Sequence, residues 1–361
     1  MPRLEGLHRR LVEEGPSSIF EKGLFGLLIP LSLLYGALMW LRSGLYRTGL
    51  LPTVRSETPV ISVGNLAVGG TGKTPFVDYL LDYFEAKNLR PAVVSRGYGG
   101  SFAGKLAVVC DGSGPLLDAD CCGDEPYLLA RKHPRALVMI APRRADAISW
   151  INARKNADVI ILDDAFQHLQ VGRDLDIVLL DAAKPFANGY PLPAGALREF
   201  PHALQRADLL LLTRAEAIGQ PCFAQRMPQV RCRHRISDQL EALDGRKLTM
   251  HDLAAQRGVA FAGIARPDTF FQALAAAGLE LVATCPLPDH ENYAAETLSR
   301  LSNIERDIDY FITTEKDAVK INPEDFPKPC YFVRLKISMF DDRLLRKCLD
   351  SLSDRIRNAD K

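Results

Sequence analysis

Lys73 and Thr74 stand side by side at the end of a glycine run, Gly69-Gly70-Thr71-Gly72. Those residue types in that order suit one task, holding the phosphates of a nucleoside triphosphate. Backbone N–H groups of a glycine-rich loop can approach phosphate oxygens closely, a lysine ammonium reaches the β and γ phosphates, and a threonine hydroxyl is a hard-oxygen ligand for Mg²⁺. The first glycine of the GxxxxGK[ST] pattern is replaced by Ala67, while the GGTGKT core is intact.

Such a loop needs an acidic partner at a neighbouring strand end to hold the metal. Val159-Ile160-Ile161-Leu162 runs into Asp163-Asp164, and Gln167 and His168 follow closely, as expected of a polar pocket. A second run, Asp176-Ile177-Val178-Leu179-Leu180-Asp181, is an alternative carrier of the same role, and the first pair is favoured for its polar surroundings. Paired acids at a strand end also occur as ordinary solvated turns.

The elements around these residues fit. Pro59 to Val63 reads as a short β-rich strand, followed by the loop and then by a helix with apolar residues at Phe76, Leu80, Leu81 and Phe84. Pro75 in the first turn costs nothing, because that N–H has no intrahelical partner. Further apolar runs at residues 92–94, 106–109, 136–140, 208–212, 259–262, 310–312 and 331–333 alternate with helical patterns. This predicts an α/β chain, a mostly parallel sheet flanked by helices with the site at the carboxyl ends of its strands, and a second, smaller α/β lobe. Residues 215–240, rich in Gln, Arg and Pro, mark the expected lobe boundary. The division reads as an amino-terminal segment over 1–50, a nucleotide-binding lobe over 51–220 and a carboxy-terminal lobe over 221–361.

The first 50 residues carry a different signal. Gly23 to Leu41 contains no charged residue and is just long enough to cross a bilayer core as a helix. Pro30, Gly26 and Gly36 are tolerated in such helices, and Tyr35 and Trp40 suit a membrane interface. The expectation is a single span or a deeply inserted anchor, weighed against a buried helix of the fold. Flanking charges do not set its orientation. The nucleotide loop that follows needs cytosolic ATP, which places the carboxy-terminal side in the cytoplasm.

Composition narrows the rest. At 47% hydrophobic and 25% charged the chain is globular, and a formal net charge of +1 gives no basic field for nucleic acid. The eight cysteines form no CxxC pair and read as reduced thiols.

Several ordered motifs then become specific together: Gly64-Asn65-Leu66 leading into Gly69 to Pro75, Ser95-Arg96-Gly97-Tyr98-Gly99, and Gly123-Asp124-Glu125-Pro126. Asp163-Asp164-Ala165-Phe166-Gln167-His168, Leu197-Arg198-Glu199, Asp289-His290 and Thr314-Glu315-Lys316-Asp317 continue the set. Over most of its length the chain resembles the tetraacyldisaccharide 4′-kinases of lipid A biosynthesis. The family pattern usually shows glycine at Ala165. The resemblance implies transfer of the ATP γ-phosphoryl group, with Mg²⁺, to the 4′-hydroxyl of an acylated glucosamine disaccharide 1-phosphate at the cytoplasmic face of the bacterial inner membrane. It implies Asp124 as the base that accepts the sugar hydroxyl proton and His290 as its partner. Asp163, Asp164 and Glu199, with Thr74, are then the candidate metal ligands. Arg144 and Arg198 are candidate phosphate contacts, and Ser95, Arg96, Tyr98 and Gln167 are candidate contacts to substrate. The membrane surface is an expected partner; a nucleic acid or an obligate protein partner is not.

Two rival classes fit the loop by itself. One is a membrane-associated nucleotide switch without a lipid acceptor. Against guanine specificity, no NKxD is present, and the nearest analogue, Thr213-Arg214-Ala215-Glu216, lacks the base-reading aspartate. The other is an accessory with a degenerate ATP site, which the intact Lys73-Thr74 and Asp163-Asp164 weaken.

Overall fold

A computed structural model describes residues 10–12, 15–215, 227–304 and 307–359; Glu216 and Cys222 lie outside them. The strands, in chain order, are β1 (Val60–Asn65), β2 (Pro91–Ser95), β3 (Ala107–Asp111), β4 (Leu137–Ile140), β5 (Val159–Asp163), β6 (Leu175–Asp181) and β7 (Leu209–Thr213). They continue with β8 (Gln229–Ala242), β9 (Lys247–Thr249), β10 (Arg257–Ala262), β11 (Glu280–Pro286), β12 (Tyr310–Thr314) and β13 (Cys330–Met339). Each apolar run read as a strand is one.

By contacts the chain groups into two compact units, residues 1–96, 141–233 and 339–361, and residues 97–140 and 234–338. This differs from the consecutive division at residue 220, and the pairings give the reason. The helix Arg343–Ala359 returns to the first unit, where Asp350 pairs with Tyr83 and Lys87 and Arg357 donates to the Lys87 carbonyl at 3.2 Å. The segment 97–140 joins the second unit, with Lys132 3.1 Å from Glu315.

In the first unit the strand order is β8-β7-β6-β1-β5-β2, and every neighbouring pair is parallel. Strand β1 is buried along its whole length, as a central parallel strand must be. Its register, Val63 opposite Asp163, sets the glycine loop beside the acidic end of β5. The helix Lys73–Glu85 buries Phe76, Leu80, Leu81 and Phe84, the expected face. In the second unit β11-β10-β12-β13 are parallel, while β8 with β9 and β3 with β4 form antiparallel pairs. Phe261, Phe311 and Phe326 pack together at its core.

The amino-terminal helix spans Ile19–Arg47 and opens on a reciprocal cap, the Glu21 N–H donating to Ser18 Oγ and the Ser18 N–H to the Glu21 carboxylate. One line of it is docked. Phe25 meets Tyr190 edge to face, Ser32 Oγ accepts the Ala194 N–H at 2.7 Å, and Ser43 Oγ accepts from Arg206 at 3.1 Å. A Cβ on Gly36 would come within 2.4 Å of the Phe200 ring. Positions 25, 32, 36 and 43 repeat at helical spacing and share one face. Phe20, Leu27, Leu31, Leu34, Leu38 and Leu41 occupy the opposite face, and all are exposed. The helix is therefore not a buried core element.

Candidate active site

Strand β1 hands the chain to the glycine loop at Asn65, which is fully buried and whose amide donates to the carbonyls of Ala67 at 2.6 Å and Gly69 at 3.3 Å. That clamp fixes how the loop leaves the sheet. Gly69 and Gly72 adopt φ of 122° and 85°, a region that favours glycine, and Gly72 caps the helix that starts at Lys73. Thr71 is buried, with a hydroxyl that has no hydrogen-bond partner among the described residues. Arg214, at the end of β7, donates to the Gly70 carbonyl and pairs with Asp181 at 2.6 Å.

Strand β5 ends on the two acids, and they differ. Asp163 is buried and its Oδ2 accepts from Ser95 Oγ at 3.2 Å. Asp164 turns out through a left-handed φ of 50°, which sets its carboxylate 2.9 and 3.0 Å from the Arg198 guanidinium and 3.5 Å from Lys73 Nζ. Burial raises its pKa, but Lys73, then Arg198 and Arg144, outweigh that, so it lies below the ordinary aspartate value. Gln167 ties the group together. Its Nε2 donates to the Asn65 carbonyl at 3.0 Å, its Oε1 accepts from Arg198 at 3.3 Å, and its backbone carbonyl accepts from Arg42 at 3.0 Å. The partly buried His168 is pushed down to about 4, by burial first and by Arg144 next, so it is neutral at pH 7.

In the second unit, Gly123, at φ 90°, leads into the helix Asp124–Lys132. Asp124 Oδ2 lies 3.1 Å from His290 Nδ1 and 2.7 Å from Lys320 Nζ. Tyr98 meets the His290 ring edge-on at 5.7 Å. Burial raises the Asp124 pKa, but the hydrogen bonds from His290 and Lys320 and the nearby Lys316 charge more than offset it. Asp124 is a carboxylate at pH 7.

Two expected roles do not match what these side chains touch. Arg144, expected on phosphate, is 1% exposed and donates instead to the carbonyls of Ala141 at 2.8 Å and Asp163 at 2.7 Å. It braces the end of β5 from inside. Glu199, expected among the metal ligands, is buried, and both of its oxygens accept from Arg206, at 2.8 and 2.9 Å. Thr74 sits half-buried in the first turn of its helix, and Arg96 is exposed at the end of β2.

A family model described as tetraacyldisaccharide-1-P 4′-kinase matches residues 24–354. The chain belongs to the tetraacyldisaccharide 4′-kinase family. Relatives so named include one from Syntrophotalea carbinolica, 46% identical and covering 98% of this chain and 99% of its own. Another, from Geobacter metallireducens, is 41% identical over 92% of this chain and all of its own. Among solved structures, LpxK from Aquifex aeolicus in complex with ATP matches with a TM-score of 0.78 at 30% identity, covering 91% of this chain and 99% of that one.

Within this 4′-kinase fold several contacts went unread in the sequence. Arg214 carried a usable signal, a basic residue directly after an apolar strand on the loop's side of the sheet. Lys316 lies inside the Thr314-Glu315-Lys316-Asp317 motif, yet nothing in its type tells that its amine reaches His290.

Proposed function

We propose that this kinase transfers the γ-phosphoryl group of ATP to the 4′-hydroxyl of a tetraacylated glucosamine disaccharide 1-phosphate in lipid A biosynthesis. The observation that carries the reading is the Lys73, Asp164 and Arg198 cluster beside the glycine loop, in a chain of this family. Switches share a glycine loop, but the Asp124 and His290 pair gives this chain a carboxylate suited to an alcohol acceptor.

Loop N–H groups, the Thr71 hydroxyl and Lys73 bind the ATP phosphates, and Arg214 holds the loop carbonyl in place. The hydroxyl of Thr74 and the carboxylates of Asp164 and of Asp163, whose buried Oδ1 accepts no hydrogen bond from the described residues, are hard-oxygen donors that would hold Mg²⁺. When bound, Mg²⁺ would supply positive charge that neutralises the charge developing on the phosphates. Arg198 is assigned to Asp164 in the first instance and to phosphate as charge moves. Asp124 orients the sugar hydroxyl and accepts its proton as the new O–P bond forms and the bond from the γ-phosphorus to ADP breaks. Ser95, Arg96 and Tyr98 are assigned to acceptor contact.

The amino-terminal helix keeps the enzyme at the cytoplasmic face of the inner membrane, embedded in one leaflet. A spanning arrangement is disfavoured by its docking. Contacts from Phe25 to Ser43 cover roughly 27 Å of helix at 1.5 Å per residue, so a crossing would draw the attached domain surface into hydrocarbon. Leu31→Glu with Leu38→Glu, both on the exposed face, should weaken binding to anionic lipid vesicles by more than about tenfold in flotation, with ATP binding kept. Unchanged flotation would show that the membrane contact lies elsewhere.

The direct assay supplies ATP, Mg²⁺ and the acylated disaccharide 1-phosphate to the purified full chain. ATP consumption should require the acceptor and yield a new phosphomonoester at the 4′ position. ATP hydrolysis at the same rate without acceptor, and no phosphorylated lipid, would overturn the reading in favour of the switch.

A further inference from the structure

Two lysines outside any role assigned so far converge on the Asp124 and His290 pair. Lys320 Nζ lies 2.7 Å from Asp124 Oδ2 and donates to the Glu291 carbonyl at 2.8 Å, and its side chain is 9% exposed. Lys316 Nζ lies 3.3 Å from His290 Nε2 and 3.4 Å from Asp289 Oδ1. An ammonium group has donors and no acceptor. The imidazole nitrogen facing Lys316 is therefore the one with the lone pair, so the ring proton sits on Nδ1 and is donated to Asp124.

Both donors fall on the same carboxylate oxygen. His290 Nδ1–H and Lys320 Nζ occupy Oδ2, and neither occupies Oδ1. The frame behind them is hydrogen-bonded throughout. Asp317 is fully buried, and its Oδ2 accepts from Thr314 Oγ1 at 2.7 Å and from the Gly263 N–H at 3.1 Å. The Gly263 carbonyl in turn accepts the His290 N–H at 3.2 Å, and the Asp317 carbonyl accepts the Lys320 N–H at 3.0 Å. One buried aspartate thus fixes the backbone of both groups that grip Asp124.

We propose that Lys320 and Lys316 are positioning residues of the phosphoryl-transfer base: Lys320 and the imidazole hold Oδ2 so that Oδ1 receives the acceptor hydroxyl, and Lys316 selects the imidazole tautomer. The proposal rests on the reading of Asp124 as base. Other groups around Asp124 do not supply this charge. The Cys122 thiol, from the preceding helix, is pushed up to about 12, chiefly by burial, and is neutral, while Asp289 is acidic. Lys132, on Asp124's own helix, is spent on Glu315. Against burial, which raises it, the His290 hydrogen bond, then Lys320 and Lys316, hold the Asp124 pKa below the ordinary aspartate value. A base held this way is a weak one, which suits a loose transition state in which the hydroxyl proton leaves late.

The test compares Lys320→Met and Lys320→Arg, each in the native and the Asp124→Asn background, with kcat and KM followed across pH. Lys320→Met should lower kcat on the order of 10- to 10²-fold through misplacement of the base, with KM for ATP unchanged. With the lysine gone the Asp124 pKa rises, so the acid limb of the kcat profile moves to higher pH. Lys320→Arg should restore most of both. On top of Asp124→Asn, the methionine should add less than about twofold, since nothing remains for it to position. An unchanged kcat and acid limb in Lys320→Met, or the same loss in both backgrounds, would overturn the inference. Asp124→Asn turning over at the native rate would instead overturn the base reading itself. Should Lys320→Met fail to fold, Lys316→Met decides through imidazole ¹⁵N shifts. The native His290 should show Nδ1–H and the variant a mixture, and an Nε2–H native ring would refute the assignment.

Discussion

Asp124→Asn lowers kcat by on the order of 10² to 10⁴, the span typical of removing a general base, while the affinity for ATP stays near native. The substitution keeps the shape of the side chain and one hydrogen-bond acceptor, but removes the charge proposed to orient the hydroxyl and take its proton. It also leaves the Lys320 ammonium, 9% exposed, facing a neutral amide, which destabilises the fold. Activity and stability are therefore separated by melting each variant. Adding Lys320→Met to Asp124→Asn recovers stability without recovering turnover. Single-turnover transfer with labelled ATP is the measurement, and an unchanged rate would assign Asp124 to structure.

Lys73→Ala produces the other large loss. Lys73 stands 3.5 Å from Asp164, which also pairs with Arg198, so it has a place in the protein's own charge balance besides its proposed one on the phosphates. Without it the Asp164 pKa moves back up toward the ordinary aspartate value, because the largest lowering influence is gone. Transfer should fall by at least about 10² to 10³, as for the loss of one charge-stabilising donor, and ATP binding should weaken with it. Both are read together by nucleotide titration and by phosphomonoester formation. Normal turnover would refute the assignment of the Gly69 to Thr74 loop.

Much of the fold was legible because its parallel strands are buried on both faces and so appear as short apolar runs; β1, β5, β6 and β7 all carry that mark. Strand β8 did not. Its sequence, Gln229 to Ala242, alternates Val230 and Cys232 with Gln229, Arg231 and Arg233, a half-buried pattern that composition alone conceals. Strand β11 lies at one edge of its sheet with little of it buried, so it too carries no such mark.

The site was legible in its parts and not in their pairing. Sequence offers Arg144 and Arg198 as equally capable of binding phosphate, and does not single out Arg214. In the fold the first is sealed against backbone carbonyls, the second holds Asp164 and the third holds the loop. Glu199 likewise satisfies the chemistry of a metal ligand, yet a neighbour seven residues away, Arg206, takes both of its oxygens. Residue type states what a side chain is able to bind. Which partner it meets depends on the register of strands far apart in the chain.

Arg42, near the end of the apolar helix, donates to the backbone of Gln167, whose side chain touches both the exit of β1 and the arginine on Asp164. The hydrophobic segment is thus a strut, whatever its exposed face meets. A chain shortened at residue 47 for easier handling would lose that strut and uncover Ala194, Phe200 and Arg206, so its turnover would describe an enzyme with a loosened nucleotide site. On the proposed membrane role, one helix would set both how the protein sits on lipid, through its exposed face, and how firmly the loop end of the sheet is held, through its docked face.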